Sequence, residues 1–371
     1  MSTIVFILSS SVNQNGIKRI DEFVERGYNV KVYGFNRGVK YYNKSKYVEI
    51  NILASFSNNQ PYLKRLGIMR RGIKSVLEET KKQDCVYYLI GPDVAMIFTF
   101  ICNRNYIYEE PDLVHTYINN RYVRHLLEKI DKCIIRKSIL SIFRSEGFPI
   151  YHFGDNIPDN CTVITNRLNK DIQRFPIVEK KEINLQHLRV GFVGGIRFKS
   201  IKNFAQIFCE RFPESEFHFY GILDTDEEKL LFKPLEKLDN CHFHGCFKNP
   251  DDMPTIYSNI DLLLSTYDIE FENVRYAEPN KIYEAIYFET PIIVSKGTFL
   301  GDKVLRLGVG YTVDPLNEEE IISLIRGLTI ANMIEKIENM RKIPKEDLIN
   351  RNDSFFKLLE SKLNRNIKQK K

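Results

Sequence analysis

Short apolar segments with strand character alternate with amphipathic helical segments along most of this chain. The first set has an apolar run at 4–8, helical spacing of apolar residues over 17–25, a glycine at Gly27, and a second apolar run at 30–33. A glycine directly after a helical segment is typical of a helix end, and both apolar runs have the length of buried strands. Strand, helix and strand in this order predict a βαβ unit with parallel strands and a right-handed crossover.

The alternation stops once and then starts again, which indicates two domains. Residues 166–187 are rich in charged side chains, and a new strand pattern begins at Leu188. A chain of 371 residues also exceeds the usual size of a single core. We therefore predict an α/β fold of two facing, doubly wound Rossmann-like domains with a cleft between them and C-terminal helices. The predicted boundaries are 1–170 for the first domain, 171–187 for a linker, 188–345 for the second domain, and 346–371 for a C-terminal helix and basic tail.

Composition restricts the class of protein and its location. The chain is 43% hydrophobic and 27% charged, as is usual for a folded globular protein, and no apolar run reaches the roughly 18–20 residues that a membrane helix needs. The first residues lack the basic region of a signal peptide, and the seven scattered cysteines favour free thiols in a reducing compartment. We therefore predict a cytoplasmic protein. The net charge of +6 is partly due to a basic tail, which fits a solvated terminus as well as a segment that contacts acidic lipid.

The segment RYAEPNKIYEAIYFETPIIVS, at 275–295, has the residue types of an anion-binding helix start. Pro279 suits a first helical turn, and Asn280, Lys281 and Glu284 are spaced to share one helix face. A helix start offers unpaired N–H groups, so a cation beside it favours an anion there. The carboxylate of Glu284 is then available to accept hydrogen bonds from sugar hydroxyls. The pattern therefore predicts a site for a nucleoside diphosphate.

A second candidate segment, VGFVGGIRFKSIKNF, spans 190–204. A strand pattern runs into Gly194 and Gly195, and Arg197, Lys199 and Lys202 follow before a helix. Glycines let a phosphate approach the backbone, and arginine offers a bidentate donor. By itself the segment fits a glycine turn with solvated cations better than a phosphate loop, and its glycine spacing matches neither a dinucleotide fingerprint nor a P-loop.

Taken together, these segments resemble the carboxy-terminal domain of GT-B glycosyltransferases, in particular the retaining family-four enzymes of bacterial surface-polysaccharide synthesis. The similarity covers most of 188–327, and the segments that carry it are GFVGGIR, LDNCHFHG, IYSNIDLLLS, EPNKIYEAIYFETPIIVS and GVGYTVDPLNEEEI. The first domain is similar through GIKRIDEFVERGYNVKVYGF and IYEEPDL.

The resemblance implies a retaining, metal-independent glycosyltransferase with a UDP- or GDP-sugar donor, no cofactor and no metal site. Glu284 is similar to the glutamate that holds the donor ribose, and Arg197 and Lys202 to the basic pair on the diphosphate; these three are the predicted catalytic residues. The other predicted donor-binding residues are Gly194, Gly195, Tyr276, Pro279, Asn280 and Lys281. Tyr276 stands where the family's E-x7-E pattern has its first glutamate, and the nearest acid is Glu278.

On the acceptor side the resemblance implies a lipid-linked saccharide. Residues that follow strands of the first domain are the candidates, although each also fits a helix cap or a solvated loop. These candidates are Asn15, Gly16, Asp93 and Glu110, with His115 as a looser candidate for the histidine that relatives place near the transferred sugar. The basic helix at 64–74 and the basic tail are consistent with peripheral contact with the inner membrane, and no nucleic-acid partner is predicted.

Two metal-like patterns and two other functions are also considered. CHFHGC, at 241–246, divides its ligand types between two strand faces, so it does not predict zinc. Asp224-Thr225-Asp226 spells a DxD motif, but it precedes a helix, where aspartate is an ordinary cap. A sugar-nucleotide epimerase of the same fold, and a non-catalytic partner subunit that lacks acceptor chemistry, remain alternatives to the transferase.

Overall fold

The computed structural model describes residues 3–11, 14–38, 45–175, 182–350 and 352–368, which form two compact units. Unit 1 contains the described parts of 1–164 and 352–371, and unit 2 contains those of 165–351. Each unit is built on one parallel sheet with helices on both of its faces.

The sheet of unit 1 has seven parallel strands in the order β3-β2-β1-β4-β5-β6-β7. The strands are β1 (Thr3–Leu8), β2 (Val30–Asn36), β3 (Asn51–Ser55), β4 (Cys85–Ile90), β5 (Tyr106–Glu110), β6 (Leu140–Phe143) and β7 (Cys161–Val163). The central strands are buried on both faces, as parallel strands with helical crossovers must be. The strand order reverses direction between β1 and β4, and such a reversal opens a crevice at the carboxyl ends of the two strands.

Within the described ranges, five helices connect these strands. They are α1 (Gln14–Glu25), α2 (Tyr62–Glu79), α3 (Pro92–Ile101), α4 (Arg121–Lys137) and α5 (Gly147–Phe153), with a 3-10 turn at Val114–Tyr117 before α4. Helix α4 begins where the Asn120 side chain accepts hydrogen bonds from two backbone N–H groups, those of Tyr122 and Val123. Stacked aromatic rings fill the core beneath α1, where the rings of Phe6 and Tyr88 lie 4.5 Å apart.

The sheet of unit 2 has six parallel strands in the order β10-β9-β8-β11-β12-β13. The strands are β8 (Arg189–Val193), β9 (Glu216–Tyr220), β10 (Cys241–Phe243), β11 (Leu262–Ser265), β12 (Ile292–Ser295) and β13 (Gly310–Val313). The helices are α6 (Lys199–Arg211), α7 (Asp226–Phe232), α8 (Met253–Ser258), α9 (Glu272–Tyr276), α10 (Lys281–Tyr287), α11 (Phe299–Leu307), α12 (Glu318–Arg326) and α13 (Ile330–Arg341). Here the strand order reverses between β8 and β11.

The last helix, α14 (Asp353–Lys368), follows unit 2 in the chain but belongs to unit 1. Its apolar residues Phe355, Phe356 and Leu359 join the unit 1 core, and the ring of Phe356 lies 5.0 Å from that of Phe23. An amphipathic helix is stabilised mainly by burying its apolar face, so α14 takes the position where such a face is available.

The α/β class with two Rossmann-like parallel sheets is confirmed. The edge strand β3 and the short helices α5 and α9 were not predicted, because segments of five to seven residues carry too little periodicity to recognise. The sequence pattern of 226–238 predicts one helix, but the α-helix ends at Phe232 and continues as a 3-10 turn that contains Pro234, since proline cannot donate the next helical hydrogen bond. Among the described residues no helix has the length and apolarity to cross a membrane.

The prediction that an aspartate of the DxD motif caps helix α7 is wrong about the residue. Thr225, between the two aspartates, is the cap: its hydroxyl accepts from the backbone N–H of Glu228, and the Glu228 carboxylate accepts from the N–H of Thr225. This reciprocal capping box explains the segment without any bound cation.

Candidate functional site

The candidate site of unit 2 lies where its strand order reverses, at the carboxyl ends of β8 and β11. Gly194 follows β8 directly and has a φ of 134°, which favours glycine. A β-carbon at Gly194 would lie 2.9 Å from Nζ of Lys281, and one at Gly221 would lie 1.8 Å from the carbonyl oxygen of Gly194. Both glycines are therefore required for the loop after β8 to pack beneath the ammonium group of Lys281. The structure thus brings together the two segments that the sequence separates by some eighty residues.

Lys281 is 9% exposed, yet its ammonium group has no carboxylate partner in the part of the chain that the structure describes. It lies 5.0 Å from the ring centroid of Phe192 and 6.0 Å from that of Tyr267, which are cation–π distances. A cation that is nearly buried and faces aromatic rings instead of an acid is well suited to bind an anionic ligand.

The predicted basic pair is not arranged as one unit. The exposed guanidinium of Arg197 lies 4.9 Å from the ring of Phe198, which packs edge-on against Tyr267 at 5.0 Å. Tyr267 therefore lies near both the Lys281 ammonium group and the loop that carries Arg197. Lys202 instead donates to the side-chain oxygen of Gln206, one turn further along α6. Gly195 is exposed between β8 and Arg197.

Residues that the sequence did not single out complete this end of the sheet. The Asp268 carboxylate accepts from the backbone N–H groups of Lys199 and Ser200, at 3.2 and 2.8 Å, and so caps helix α6. The hydroxyl oxygens of Ser200 and Thr266 are buried and have no hydrogen-bond partner among the described residues. Buried hydroxyls without partners are uncommon in proteins; here Thr266 directly follows β11, where ligands bind in such sheets, and Ser200 lies in the first turn of α6. Asp268 lies 68 or more residues from the backbone groups that it caps, so local pattern could not identify it.

Glu284 is 3% exposed and is held by two described donors. The Tyr257 hydroxyl donates to Oε2 at 2.8 Å, and the Asn280 amide donates to Oε1 at 2.9 Å. Burial, together with the Glu284 carboxylate, raises the pKa of Tyr257 well above its usual value, so Tyr257 remains a donor. These two hydrogen bonds fix the orientation of the Glu284 carboxylate.

The loop before α10 differs from the expectation. Helix α10 begins at Lys281 after the cap Asn280, so Pro279 precedes the helix and does not lie in its first turn. The helix has only seven residues, which makes the charge of Lys281 more important for an anion than the helix end. Glu278 is buried and accepts from Tyr283 and from Nζ of Lys303, at 2.9 Å for the latter. Tyr276 is the partly buried last residue of α9.

In unit 1 the strand order reverses between β1 and β4, and one predicted acceptor-side residue lies there. Asp93 follows Gly91 at the end of β4, and its carboxylate accepts from the guanidinium of Arg37. Arg37 also donates to the carbonyl oxygen of Ser9, at the end of β1, at 2.7 Å. Asp93 is therefore fixed at a crevice of the kind that binds ligands.

The other acceptor-side candidates differ from Asp93. Glu110 is fully buried at the end of β5, and both of its oxygens lie within 3.2 Å of Nε2 of His152. His115 is buried beside Asp131, with Nδ1 3.1 Å from Oδ2. Gly16 is buried in the first turns of α1. The side chain of Asn15 lies outside the described residues. The acceptor roles of these residues stay predictions.

The CHFHGC segment forms part of an imidazole cluster on the edge of the unit 2 sheet. The rings of His242 and His244 both stack near His218 of β9, at 5.1 and 5.3 Å, which confirms that they share a face. Nδ1 of His218 lies 3.1 Å from Nε2 of His244. Burial, with the neighbouring imidazoles, lowers the pKa of His218 to about 4 despite the nearby Glu216 carboxylate.

Comparisons with known proteins agree with this architecture. Residues 170–346 match the family model described as glycosyl transferases group 1. No curated protein sequence matches the chain. The chain is similar to solved structures over nearly its whole length, and at the identities found this likeness shows the fold.

Three of these structures illustrate the likeness. Sucrose-phosphate synthase from Thermosynechococcus elongatus has a TM-score of 0.70 at 14% identity, with 100% of each chain covered. HepE from Anabaena, in complex with UDP and glucose, has a TM-score of 0.68 at 15% identity, with 97% of this chain and 100% of HepE covered. The lipopolysaccharide outer core galactosyltransferase WaaB has a TM-score of 0.61 at 15% identity, with 98% and 99% covered.

Two parallel-sheet Rossmann-like units, with a candidate anion site at the strand ends of the second, are consistent with the GT-B fold. The family model assigns a glycosyl transferases group 1 domain to residues 170–346, which is just under half of the chain.

Proposed function

We propose that this enzyme transfers a sugar from a UDP- or GDP-sugar to a lipid-linked saccharide in surface-polysaccharide synthesis, with retention of configuration and without a metal. The observation that carries the donor part is the nearly buried Lys281 ammonium group over Gly194, with no acid partner among the described residues. UDP-glucose is the first donor to test, because the similar HepE has been solved with UDP and with UDP-glucose.

In this proposal the donor diphosphate binds at Gly194 and Gly195, between Lys281 and Arg197. Arg197, Lys202 and Lys281 form no ion pair in the described part of the chain, whereas Arg189 and Lys303 of the same unit are each paired with an acid. Their charge is therefore available to stabilise the negative charge that develops on a departing diphosphate, which is the task that a metal performs in other transferases. Retention is proposed from the resemblance to family-four enzymes.

Glu284 is proposed to accept hydrogen bonds from the ribose, and Asn280 and Tyr276 to flank the sugar. The Tyr257 and Asn280 donors hold the Glu284 carboxylate in one orientation, which reduces the entropy lost when a ligand binds. Such preorganisation supports a role in nucleotide recognition and leaves the transferred sugar to other groups.

The experiment that tests the ribose assignment compares UDP with 2′,3′-dideoxy-UDP, each titrated calorimetrically into wild type and into Glu284→Gln. Hydrogen bonds to a charged group contribute about 1.5–3 kcal/mol, so we expect wild type to prefer UDP by about 10- to 150-fold and Glu284→Gln to have lost most of that preference. Tyr257→Phe, which keeps the charged carboxylate and its hydrogen bond from Asn280, should keep most of the preference. If Glu284→Gln weakened both ligands equally, the ribose assignment would be wrong.

The acceptor part is tested separately. UDP-glucose and GDP-sugars are incubated with a lipid-linked saccharide extract in the presence of a chelator, and transferred label is measured. Transfer under these conditions supports the proposal. Tight donor binding with no transfer to any acceptor would instead favour the non-catalytic partner subunit, and isomerised donor would favour an epimerase.

Contact with a membrane is proposed from charge. Helix α2 exposes Lys64, Arg70, Arg71 and Lys74, and such clusters are attracted to acidic lipids by about 1 kcal/mol for each cation near the surface. Co-sedimentation with phosphatidylglycerol vesicles, but not with phosphatidylcholine vesicles, is the expected result. Replacing these four residues by glutamine should abolish it, and unchanged co-sedimentation would contradict the assignment to α2.

A further inference from the structure

A compact group of possible metal ligands lies in unit 1, away from the donor residues in sequence and in chemistry. Glu110 at the end of β5, His115 in the 3-10 turn and Asp131 of α4 each offer one ligand atom, and these atoms lie within 4.8 Å of one another. All three side chains are buried. Among the described residues, this is the one place where three such ligand atoms converge.

The distances are compatible with a bound ion. Nδ1 of His115 lies 3.1 Å from Oδ2 of Asp131, which is a hydrogen-bond distance. Ligands of a tetrahedral zinc ion, with bonds of about 2.0–2.1 Å, lie about 3.3 Å apart. For this pair, replacing the hydrogen between the two atoms by a metal requires movements of only a few tenths of an ångström, whereas the Glu110 ligand atom lies within 4.8 Å of the other two and has up to about 1.5 Å to close. Two carboxylates buried in one place also favour positive charge beside them, from His152 at Glu110 and from a bound divalent cation.

Each of the three ligands also has an outer partner that fixes its orientation. The Tyr108 hydroxyl donates to Oδ1 of Asp131 at 3.4 Å, the Tyr151 hydroxyl lies 3.3 Å from Nε2 of His115, and Nε2 of His152 lies 2.9 Å from Glu110. Metal-binding histidines and carboxylates almost always have such partners, because the partner sets the tautomer and the direction of the lone pair. In His115 the Tyr151 hydroxyl contacts Nε2, and Nδ1 faces the Asp131 carboxylate.

The donor set indicates which metal would bind. One imidazole nitrogen and two carboxylates favour a first-row transition metal or zinc over magnesium and calcium, which prefer oxygen ligands. Three protein ligands leave one position of a tetrahedral ion for water.

We propose that Glu110, His115 and Asp131 form a binding site for a zinc-class divalent metal, which joins the end of β5 to the 3-10 turn and to α4. The site concerns the stability of unit 1 and goes beyond the proposed sugar transfer. Glu110 then serves as a buried ligand and does not contact the acceptor.

The test is a titration of chelator-treated full-length protein with Co²⁺, whose visible absorption reports coordination by nitrogen and oxygen ligands, followed by displacement with Zn²⁺. The background is His242→Ala/His244→Ala, so that the exposed imidazoles cannot contribute. We expect one equivalent of metal, and a thermal midpoint that rises with Zn²⁺ because the metal binds only the folded state.

Asp131→Asn and Glu110→Gln keep the shape of each side chain and should each raise the dissociation constant at least about tenfold. His125→Ala, an exposed histidine on the same helix α4, should leave the affinity unchanged. If one of these two variants failed to fold, the other would still show whether the metal affinity falls. Absence of bound cobalt in the background protein would show that protons fill the cluster and would overturn the proposal, as would equal affinity in both ligand variants and the background.

Discussion

Replacing Lys281 by methionine removes the charge at the centre of the donor site while keeping the apolar stem of the side chain. The ammonium group lies 5.0 Å from the ring of Phe192 and directly over Gly194, and it has no carboxylate partner among the described residues. Its removal leaves no buried acid without a partner. Methionine also fits a site lined by aromatic rings. The variant therefore tests ligand binding with little effect on folding.

The magnitude follows from the kind of interaction that is lost. A hydrogen bond between an ammonium group and a phosphate contributes about 1.5–3 kcal/mol, so the dissociation constant for UDP should rise about 10- to 150-fold. The free energy of unfolding without nucleotide should change by no more than about 1.5 kcal/mol, as for other volume-conserving replacements. Weak binding together with normal stability is the combination that identifies a binding cation.

The assay is isothermal titration with UDP, supported by urea unfolding of the free protein. A matched control is Lys345→Met. Lys345 is also in unit 2, and its ammonium group lies 5.4 Å from the ring of Tyr287, a residue of helix α10 like Lys281. Unlike Lys281, Lys345 has a side chain that is 41% exposed. The control should bind UDP within about twofold of wild type, since an exposed cation contributes little. Equal UDP affinity in Lys281→Met and Lys345→Met would refute the role of Lys281, and so would a large loss of stability with unchanged affinity.

Three further predictions concern stability. The pKa of His218 is lowered from 6.5 to about 4, so between these pH values the unfolded chain binds a proton that the folded chain does not. The free energy of unfolding should therefore fall by on the order of 1–3 kcal/mol as the pH drops from 6.5 to 4. His218→Gln should reduce this pH dependence, measured by urea unfolding at several pH values. The groups that face His218 are Glu216, Tyr220, His242 and His244. Arg144→Met removes two hydrogen bonds to the buried Glu109 carboxylate and should cost about 3 kcal/mol in the same assay; a loss below about 1 kcal/mol would contradict a buried ion pair. Gly221→Ala would place a β-carbon 1.8 Å from a carbonyl oxygen at a φ of 150°, so a loss of about 3 kcal/mol or more is expected, and a calorimetric midpoint equal to that of wild type would refute it.

The sequence by itself determined the local elements and their class. The apolar runs at 4–8 and 30–33 and the helical spacing at 17–25 correspond to β1, β2 and α1, because an amphipathic repeat and a short apolar run are visible within one segment. The repeated order of strand and helix then left parallel sheets as the expected arrangement. Candidate donor residues were also visible, since glycines, cations and a carboxylate after strand patterns are local features.

Only the tertiary structure decided which of those residues meet. It places Lys281 over Gly194, whereas Lys202 contacts Gln206 within its own helix. It also caps α6 with Asp268, adds α14 to the unit that begins the chain, and gathers Glu110, His115 and Asp131 from three separate elements. The physical reason is that periodicity records what each segment buries, while a site depends on strand order and on contacts between residues far apart in sequence.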